Sequence, residues 1–487
     1  VLQESPRSAS SMAVQFSSAA LVMAALFMSA AVGPADAQGM MRRDARDSRV
    51  GKSALQTQVE RVLQGEAAER LLAVEASVRP TYEAFPKNAM GRIPPSEIFP
   101  AIARGYFAKE HGWLLAGLAP PNLTPRLSDV HEALVLREQA PALAQALRDL
   151  HESDRGLSLG DVVGTIAAIE HLLLSESEAL LQGAYLLNGR SVDDLLDSEE
   201  SLKEALHSFL LLVRHGHPYD LTDVDRHRRM KARAQVSVAE WQRLEDYAAQ
   251  ALRASGKSSP FAFSAALAVA RELTLGFGRW QNSECMQMKA TLMDLAASDA
   301  STKGTGKVLY EHFHGEPKHP SYQFTETLDY LRKYGVLDEP QDGKPSVRIA
   351  NYLLAPSNCI ASSKHYSVCC LNECEALSSD LEQRVQAPVW PAPRLLAAVG
   401  ATPSSSLPAP HELPAALGQE LEAIATSHEG AVPLHSAEFR QWMHGAFPNE
   451  CPMPTASEGA AEEWERHSAE SWLATQQECT RIPQWHP

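Results

Sequence analysis

Seven cysteines, all in the C-terminal half of a 487-residue chain, constrain this sequence more than any other feature. Cys285, Cys359, Cys369, Cys370, Cys374 and Cys451 are grouped around one segment, while Cys479 stands apart in a polar tail. In an exported chain such clustering reads as a disulfide framework, because oxidising compartments preserve cystines that the cytosol would reduce. Six cysteines in three bridges allow fifteen connectivities, and the spacing does not choose among them. Cys370 and Cys374 stand one helical turn apart, and the adjacent Cys369 and Cys370 are expected to bond to different partners. A zinc knuckle is disfavoured, since no Cys-x-x-Cys is present. Cys479 implies a free thiol or an intermolecular bond.

Export is expected from the N-terminus. The chain begins with Val1, so 1–11 reads as leader and Met12 as the start. An apolar core follows through Ala19, Leu21, Val22, Leu26, Phe27 and Val32, and Ala35-Asp36-Ala37 forms a small-x-small cleavage signature before Gln38. The core is short for a bilayer span and ends in Pro34 and Asp36. A cleaved signal peptide over 1–37 is therefore expected rather than an anchor, although no positive charge follows Met12. No later segment has the apolar length of a spanning helix. The product is placed in the secretory pathway, extracellular or lumenal.

Composition narrows the partners. With 44% hydrophobic residues the chain has material for two or three cores. Its formal net charge of -16 disfavours phosphate backbones and anionic membranes alike. The expected partner is a protein or a matrix component.

Helical periodicity dominates. Leu55, Val59, Val62, Leu71, Val74 and Val78 form an apolar stripe that Pro80 is expected to stop. A second helix is expected around 98–107, with a break at Pro120-Pro121 and a glycosylation sequon at Asn122-Leu123-Thr124 beside Pro125. Further helices follow through 129–214, with capping signals at Ser158-x-x-Asp161, Ser191-x-x-Asp194 and Ser237-x-x-Glu240. Pro218 and the charged run 223–231 mark a boundary, and the basic part of that run, from Arg226 to Lys231, reads as a solvated face. Helices are expected at 238–252 and 261–275, a strand at 346–354, and helices at 415–428 and 436–447. Seven prolines in 387–414 indicate an exposed linker or long loop. The expected organisation is a disordered 38–52, an N-terminal helical domain 53–217, a central helical domain 218–386 with the cysteine cluster, the linker 387–414, a helical hairpin 415–454 and a polar tail 455–487. The expected fold class is all-α.

One element recurs. Glycine, an apolar residue two positions on, and then an acidic and aromatic pair occur at Gly91/Ile93/Glu97/Phe99, Gly306/Val308/Glu311/Phe313 and Gly430/Val432/Glu438/Phe439, with a fainter copy at Gly156. The layout is that of the EF-hand, whose loop has glycine at position six and glutamate at twelve. The ligand positions argue against calcium. They are Pro86, Asn88, Met90 and Glu97 in the first loop, and Ser301, Lys303, Thr305 and His312 in the second. Hard cations require anionic oxygen, so these are read as degenerate units retained for packing, with no cofactor expected.

Other motifs have plain structural explanations. Gly156-Leu157-Ser158-Leu159-Gly160 matches the nucleophile elbow, but that motif requires a strand before the serine, and helix precedes it here. His215-x-His217 with His227, and His312-x-His314 with His319, offer imidazoles for a metal, but no third ligand or outer shell is evident. Phe277-Gly278-Arg279-Trp280 reads as core packing beside a disulfide. No phosphate loop or dinucleotide fingerprint is present.

Several segments together resemble an uncharacterised family of secreted or lumenal cysteine-patterned proteins of dinoflagellates and related algae. They are Arg79-Pro80-Thr81-Tyr82 with Pro86-Lys87-Asn88, His111-Gly112-Trp113, the run from Gly278 to Cys285, Ala355 to Ser363, Ser367 to Cys374, and Val432 to His444 ending in Glu450-Cys451-Pro452. The resemblance covers most of 79–454 patchily and departs in 188–260 and in the Pro-rich stretch. It implies an exported or lumenal protein with six patterned cysteines, and implies no activity. The expected function is thus a non-enzymatic binding or structural protein. The alternatives are a metal-dependent enzyme using a histidine cluster and a calcium-modulated EF-hand-like module.

Overall fold

The computed structural model describes residues 53–454 except 65–67, 97, 119–129, 152–154, 217–218, 237, 316–322, 342 and 361. These belong to one unit, Ser53–Pro487. The expected signal peptide, disordered 38–52, Pro120-Pro121, the sequon, Glu97, Ser237, His217, His319 and the tail with Cys479 lie outside the described residues.

Apolar spacing builds the first core. In α1 (Ala54–Val62), Leu55 and Val59 stand four apart and are buried together. They meet α6 (Leu159–Leu187), whose apolar residues leave no continuous polar face over its first half and which is therefore buried nearly all round. A capping box starts this helix: the Ser158 side chain accepts from the Asp161 N–H while the Asp161 side chain accepts from the Ser158 N–H. Around α6 pack α2 (Ala68–Ala84), α3 (Ile98–Glu110), α4 (Leu134–Gln139), α5 (Pro141–His151) and α7 (Glu199–His215). The layer is completed by α8 (Val224–Val236), α9 (Val238–Ser255) and α10 (Phe263–Ala297). This core runs without a break past residues 217 and 218, joining Leu206 and Phe209 to Leu244 and Leu252.

A second core lies between α10 and the elements that follow it: β2 (Lys307–Leu309), α11 (Tyr310–Phe313), α12 (Leu328–Lys333), β3 (Leu337–Asp338), β4 (Ser346–Arg348) and α13 (Ile349–Leu353). β5 (Tyr366–Val368) pairs back to β1 (Trp113–Leu115) and adds Tyr366 and Val368 to the first core. A third core is formed by the C-terminal elements α14 (Glu373–Val385), β6 (Val389–Trp390), α15 (Ala392–Gly400), α16 (Ala415–Ser427), β7 (Val432–Pro433) and α17 (Ala437–Ala446). The described fold is mainly helical.

Segments between helices are tied by short antiparallel pairings in three places. Ile93 bridges Leu157, Val308 pairs with Val347, and Trp390 pairs with Val432. Ile93, Val308 and Val432 are the apolar residues of the recurring glycine loops. Gly91, Gly306 and Gly430 each hold a positive φ, of 71°, 70° and 91°. At Gly306 a Cβ would also meet the Pro448 carbonyl oxygen at 2.4 Å, so this turn requires glycine on two counts.

Three disulfides are present among the described residues: Cys285–Cys370, Cys359–Cys369 and Cys374–Cys451. The first ties α10 to the segment before α14, and the third ties α14 to the end of the described chain. Cys369 and Cys370 take different partners.

Several expectations require correction. Pro80 lies inside α2, which continues to Ala84. The last turn is held from outside: Thr81 Oγ1 donates to Glu382 Oε2 at 2.5 Å, and Tyr82 OH donates to the Gly91 and Leu157 carbonyls. Tertiary bonds thus offset the hydrogen bond that proline removes. Ser191 and Asp194 close a turn rather than open a helix, and the real N-cap is Ser198. The strand expected at 346–354 ends at Arg348 and turns into α13. The helix expected at 261–275 extends to Ala297 as α10. The Pro-rich stretch 387–414 contains β6 and α15, because Pro393 falls in the first helical turn, where its missing N–H has no intrahelical partner to lose, and Leu395 and Val399 bury one face.

Candidate functional site

A cluster of buried and half-buried polar groups lies where α2, α3 and α14 meet. Helical spacing aims them inward: Ser77 and Thr81 from α2, Gly105, Tyr106 and Lys109 from α3, and Glu375 from α14 surround a cavity of about 10 Å³. That is room for about one water. Lys109 Nζ donates to the Ser77 carbonyl at 3.0 Å and to Ser379 Oγ at 2.8 Å. Gly105 permits the approach of α14, since a Cβ there would lie 2.8 Å from Glu375 Oε2.

Burial sets the electrostatics of this junction. It pushes the Glu375 carboxyl up, against the pull of Lys109 and Arg104. It pushes Glu382 up to about 7, opposed by the Thr81 hydrogen bond and reinforced by the Glu375 charge. It lowers Lys109, and lowers Arg104 to about 10. His435, stacked on Phe85 with ring centroids 3.6 Å apart, is driven down to about 3 by burial and faces Glu382 as the neutral ring. Arg104 is 8% exposed, and none of its guanidinium nitrogens has a hydrogen-bond partner among the described residues. The cluster can hold a water and exchange a proton near neutrality. It is too small to admit an organic substrate.

Three further buried networks link distant segments. Glu170 of α6 accepts from Arg70, from His111 Nε2 at 2.6 Å and from Tyr106 OH at 3.0 Å. Burial pushes its carboxyl up, but the His111 and Arg70 hydrogen bonds outweigh this and hold it below the usual range. His111 Nδ1 faces the Leu275 carbonyl at 3.1 Å, so both ring nitrogens meet acceptors. Lys289 of α10 is 2% exposed and donates to Glu373, Ser405 Oγ and Glu450, saturating its three N–H groups. His365, also 2% exposed, lies between Glu138 of α4 and Glu176 of α6.

The histidines weighed as metal ligands are engaged with neighbouring rings and hydroxyls. His215 and His227 both lie against the Tyr219 ring, and His227 Nε2 bonds Ser208 Oγ at 3.0 Å. His314 stacks on Tyr310. Among the described residues no group of three His, Cys, Asp or Glu side chains is placed to hold a metal ion. The glycine loops close on their own side chains: Asn88 Oδ1 accepts from the Met90 and Arg92 N–H groups, and Thr305 Oγ1 donates to the Thr302 carbonyl. Ser158, central to the elbow motif, is the helix cap described above. Trp280 stacks on Tyr247 and packs against Phe277.

Sequence reading missed Glu170, Arg70, His365 and Lys289 as network residues. Their partners lie far along the chain, and no local spacing marks them. Of the network residues, His111, Glu373 and Glu450 fell within segments carried by the family resemblance.

No protein-family model, curated protein or solved structure matches the chain.

Proposed function

We propose that this chain is an exported, non-enzymatic binding or structural protein whose body is built from EF-hand-like helix–loop–helix pairs. In these pairs cation ligation is replaced by disulfides and buried ion pairs. The observation that carries the reading is the engagement of all six clustered cysteines in three bridges within the chain, two of them closing separations of 85 and 77 residues. Such a framework suits an oxidising compartment. The EF-hand-like reading is supported by the glycine at loop position six, the apolar residue at eight, and the antiparallel pairing between apolar loop residues. The partner is a protein or a matrix component.

The test is intact mass of the natively secreted chain before and after reduction, with melting in the presence of calcium. The expected results are a mature N-terminus at Gln38, six hydrogens gained in Ser53–Pro454 on reducing its three bridges, and no calcium-dependent shift. A calcium-dependent rise in Tm would overturn the non-ligating reading, because a ligand that binds only the native state must stabilise it. A stoichiometric transition metal would redirect the reading to the histidines.

A further inference from the structure

Helix α8 is weakly held. It has 13 residues, and an isolated helix of about that length is marginal in water, so packing decides whether it persists. It is the one described α-helix in which no described apolar side chain is buried. Its buried residue is His227, whose Nε2 lies 3.0 Å from Ser208 Oγ, while Met230 and Ala234 are half-buried against the first core. Like charges stand one turn apart, Arg226 with Arg229, Arg228 with Lys231 and Arg229 with Arg233, and such pairs oppose the helix. A segment with so few buried apolar contacts opens locally at less cost than the core helices around it.

Within this helix stands Arg226-His227-Arg228-Arg229, the one Arg-x-Arg-Arg in the chain. Arg226, Arg228 and Arg229 are exposed, and Met230 follows. Side chains alternate along an extended segment, so once α8 opens Arg226 and Arg228 share one face and Arg229 takes the other. That is the pattern read by the processing endoproteases of the secretory route, whose clefts offer separate acidic pockets to basic side chains first, second and fourth before the cut. Arginine fits such pockets, because its planar fork pairs with a carboxylate through two N–H groups. Residues 226–233 carry five basic side chains and no carboxylate. The attraction is therefore local, and screening beyond about 8 Å limits what the acidic remainder of the chain opposes.

We infer that the Arg229–Met230 bond is a processing site, cut by a subtilisin-like endoprotease of the secretory route. This rests on the reading of the chain as exported. Water adds across the bond, leaving a carboxylate on Arg229 and an amino group on Met230. All seven cysteines lie after the cut, so no disulfide can join the two pieces. They stay together through the first core, which draws on both, and through the pairing of β1 with β5. The contacts of His365 with Glu138 and Glu176, and of Glu382 with Thr81, also cross from one piece to the other. The product is a two-piece protein without a covalent link.

The test takes the uncut, oxidised full chain from a bacterial periplasm and incubates it, without denaturant, with a purified furin-type endoprotease. One cut is expected, with a new N-terminus at Met230 and two pieces that co-elute on gel filtration but part in urea without reductant. Cleavage proceeds from the opened form, so its rate follows the opening of α8. Arg226→Gln and Arg229→Gln are each expected to be cut about tenfold more slowly or less, with an unchanged Tm, because one charge-assisted bond in a pocket is lost. Arg233→Gln, outside the motif, is expected to be cut at the wild-type rate. A native chain left uncut, cutting of Arg226→Gln at the wild-type rate, or pieces that part on gel filtration without urea would each overturn the inference. So would a chain secreted with Gln38 as its sole N-terminus. Absence of an N-terminus at Gln38 from the secreted chain counts against export alone, so the two readings fail separately.

Discussion

His365 Nε2 lies 2.8 Å from Glu138 Oε2, while its other ring nitrogen meets Glu176. A neutral imidazole has one donor and one acceptor, so a ring between two carboxylates is satisfied only when both nitrogens carry protons. Burial opposes the charge, but the hydrogen bonds and charges of Glu176 and Glu138 prevail and raise His365 above its ordinary value. His365 belongs to the loop closed by Cys359–Cys369, so the contact fastens that loop to two N-terminal helices.

The clamp makes stability depend on pH. A raised folded value contributes stability that is full below about pH 6.5, the unfolded histidine value, and lost as pH rises through the folded one. Glu138, held low by the Lys364 and His365 hydrogen bonds, contributes above its unfolded value near pH 4.3 and is lost on acidification. Lys364 and Tyr366 are the other titratable neighbours. His365→Gln is expected to cost about 1–3 kcal/mol between pH 4.5 and 6.5, and much less at pH 9. Paired thermal melts at the two pH values measure this; an equal loss at both would refute the clamp.

Glu170→Gln removes the anion shared by Arg70 and His111 and puts an NH2 donor where a carboxylate oxygen accepted. Glu170→Gln is expected to destabilise by about 3–5 kcal/mol, because a buried charge loses its partner. Glu311→Gln, at the exposed Lys344 pair, is expected to cost less than about 1 kcal/mol. Denaturant titration of the two variants provides the comparison.

Loop length ranks the disulfides. Loss of Cys285–Cys370, separated by 85 residues, is expected to cost about 4.5 kcal/mol, against about 2.7 kcal/mol for Cys359–Cys369, separated by 10. Paired Cys→Ser variants followed by thermal unfolding would show this order. The reverse order would mean that native contacts outweigh chain entropy.

Arg104 is predicted to be a liability to stability. Arg104→Met keeps most of the side chain's length and removes a buried cation without hydrogen-bond partners, so a gain of about 1–3 kcal/mol is expected. The same variant takes a positive charge from Glu375 and should raise its carboxyl further. Chemical denaturation reads the first effect and carboxyl NMR the second. A loss of stability would show that the guanidinium has a partner in solution.

Signals carried within a few residues translated directly into structure. Ser158 and Asp161 cap a helix as their spacing requires, and Leu55 and Val59 face a core. The helices expected at 415–428 and 436–447 are present as α16 and α17 to within about a residue at each end. Glycine at 306 marks a turn that a side chain could not enter. The reading failed where a local rule met a distant partner. Proline at 80 ought to end a helix, but Glu382, some 300 residues on, helps to hold the following turn. The proline-rich stretch looked exposed because composition does not reveal burial. Yet Ser404, Ser405 and Ser406 bind Glu450, whose other partner is Lys289, and this fixes the stretch to α10.

Sequence by itself determined the helical class, the glycine loops and the concentration of cysteines, because periodicity, φ preference and residue chemistry act over a few positions. Tertiary structure alone decided which cysteines pair and that Glu170, His365 and Lys289 become buried ionic centres. Each of these depends on which segments meet after the chain has folded back on itself. That is a property of the whole packed arrangement, and no local spacing encodes it.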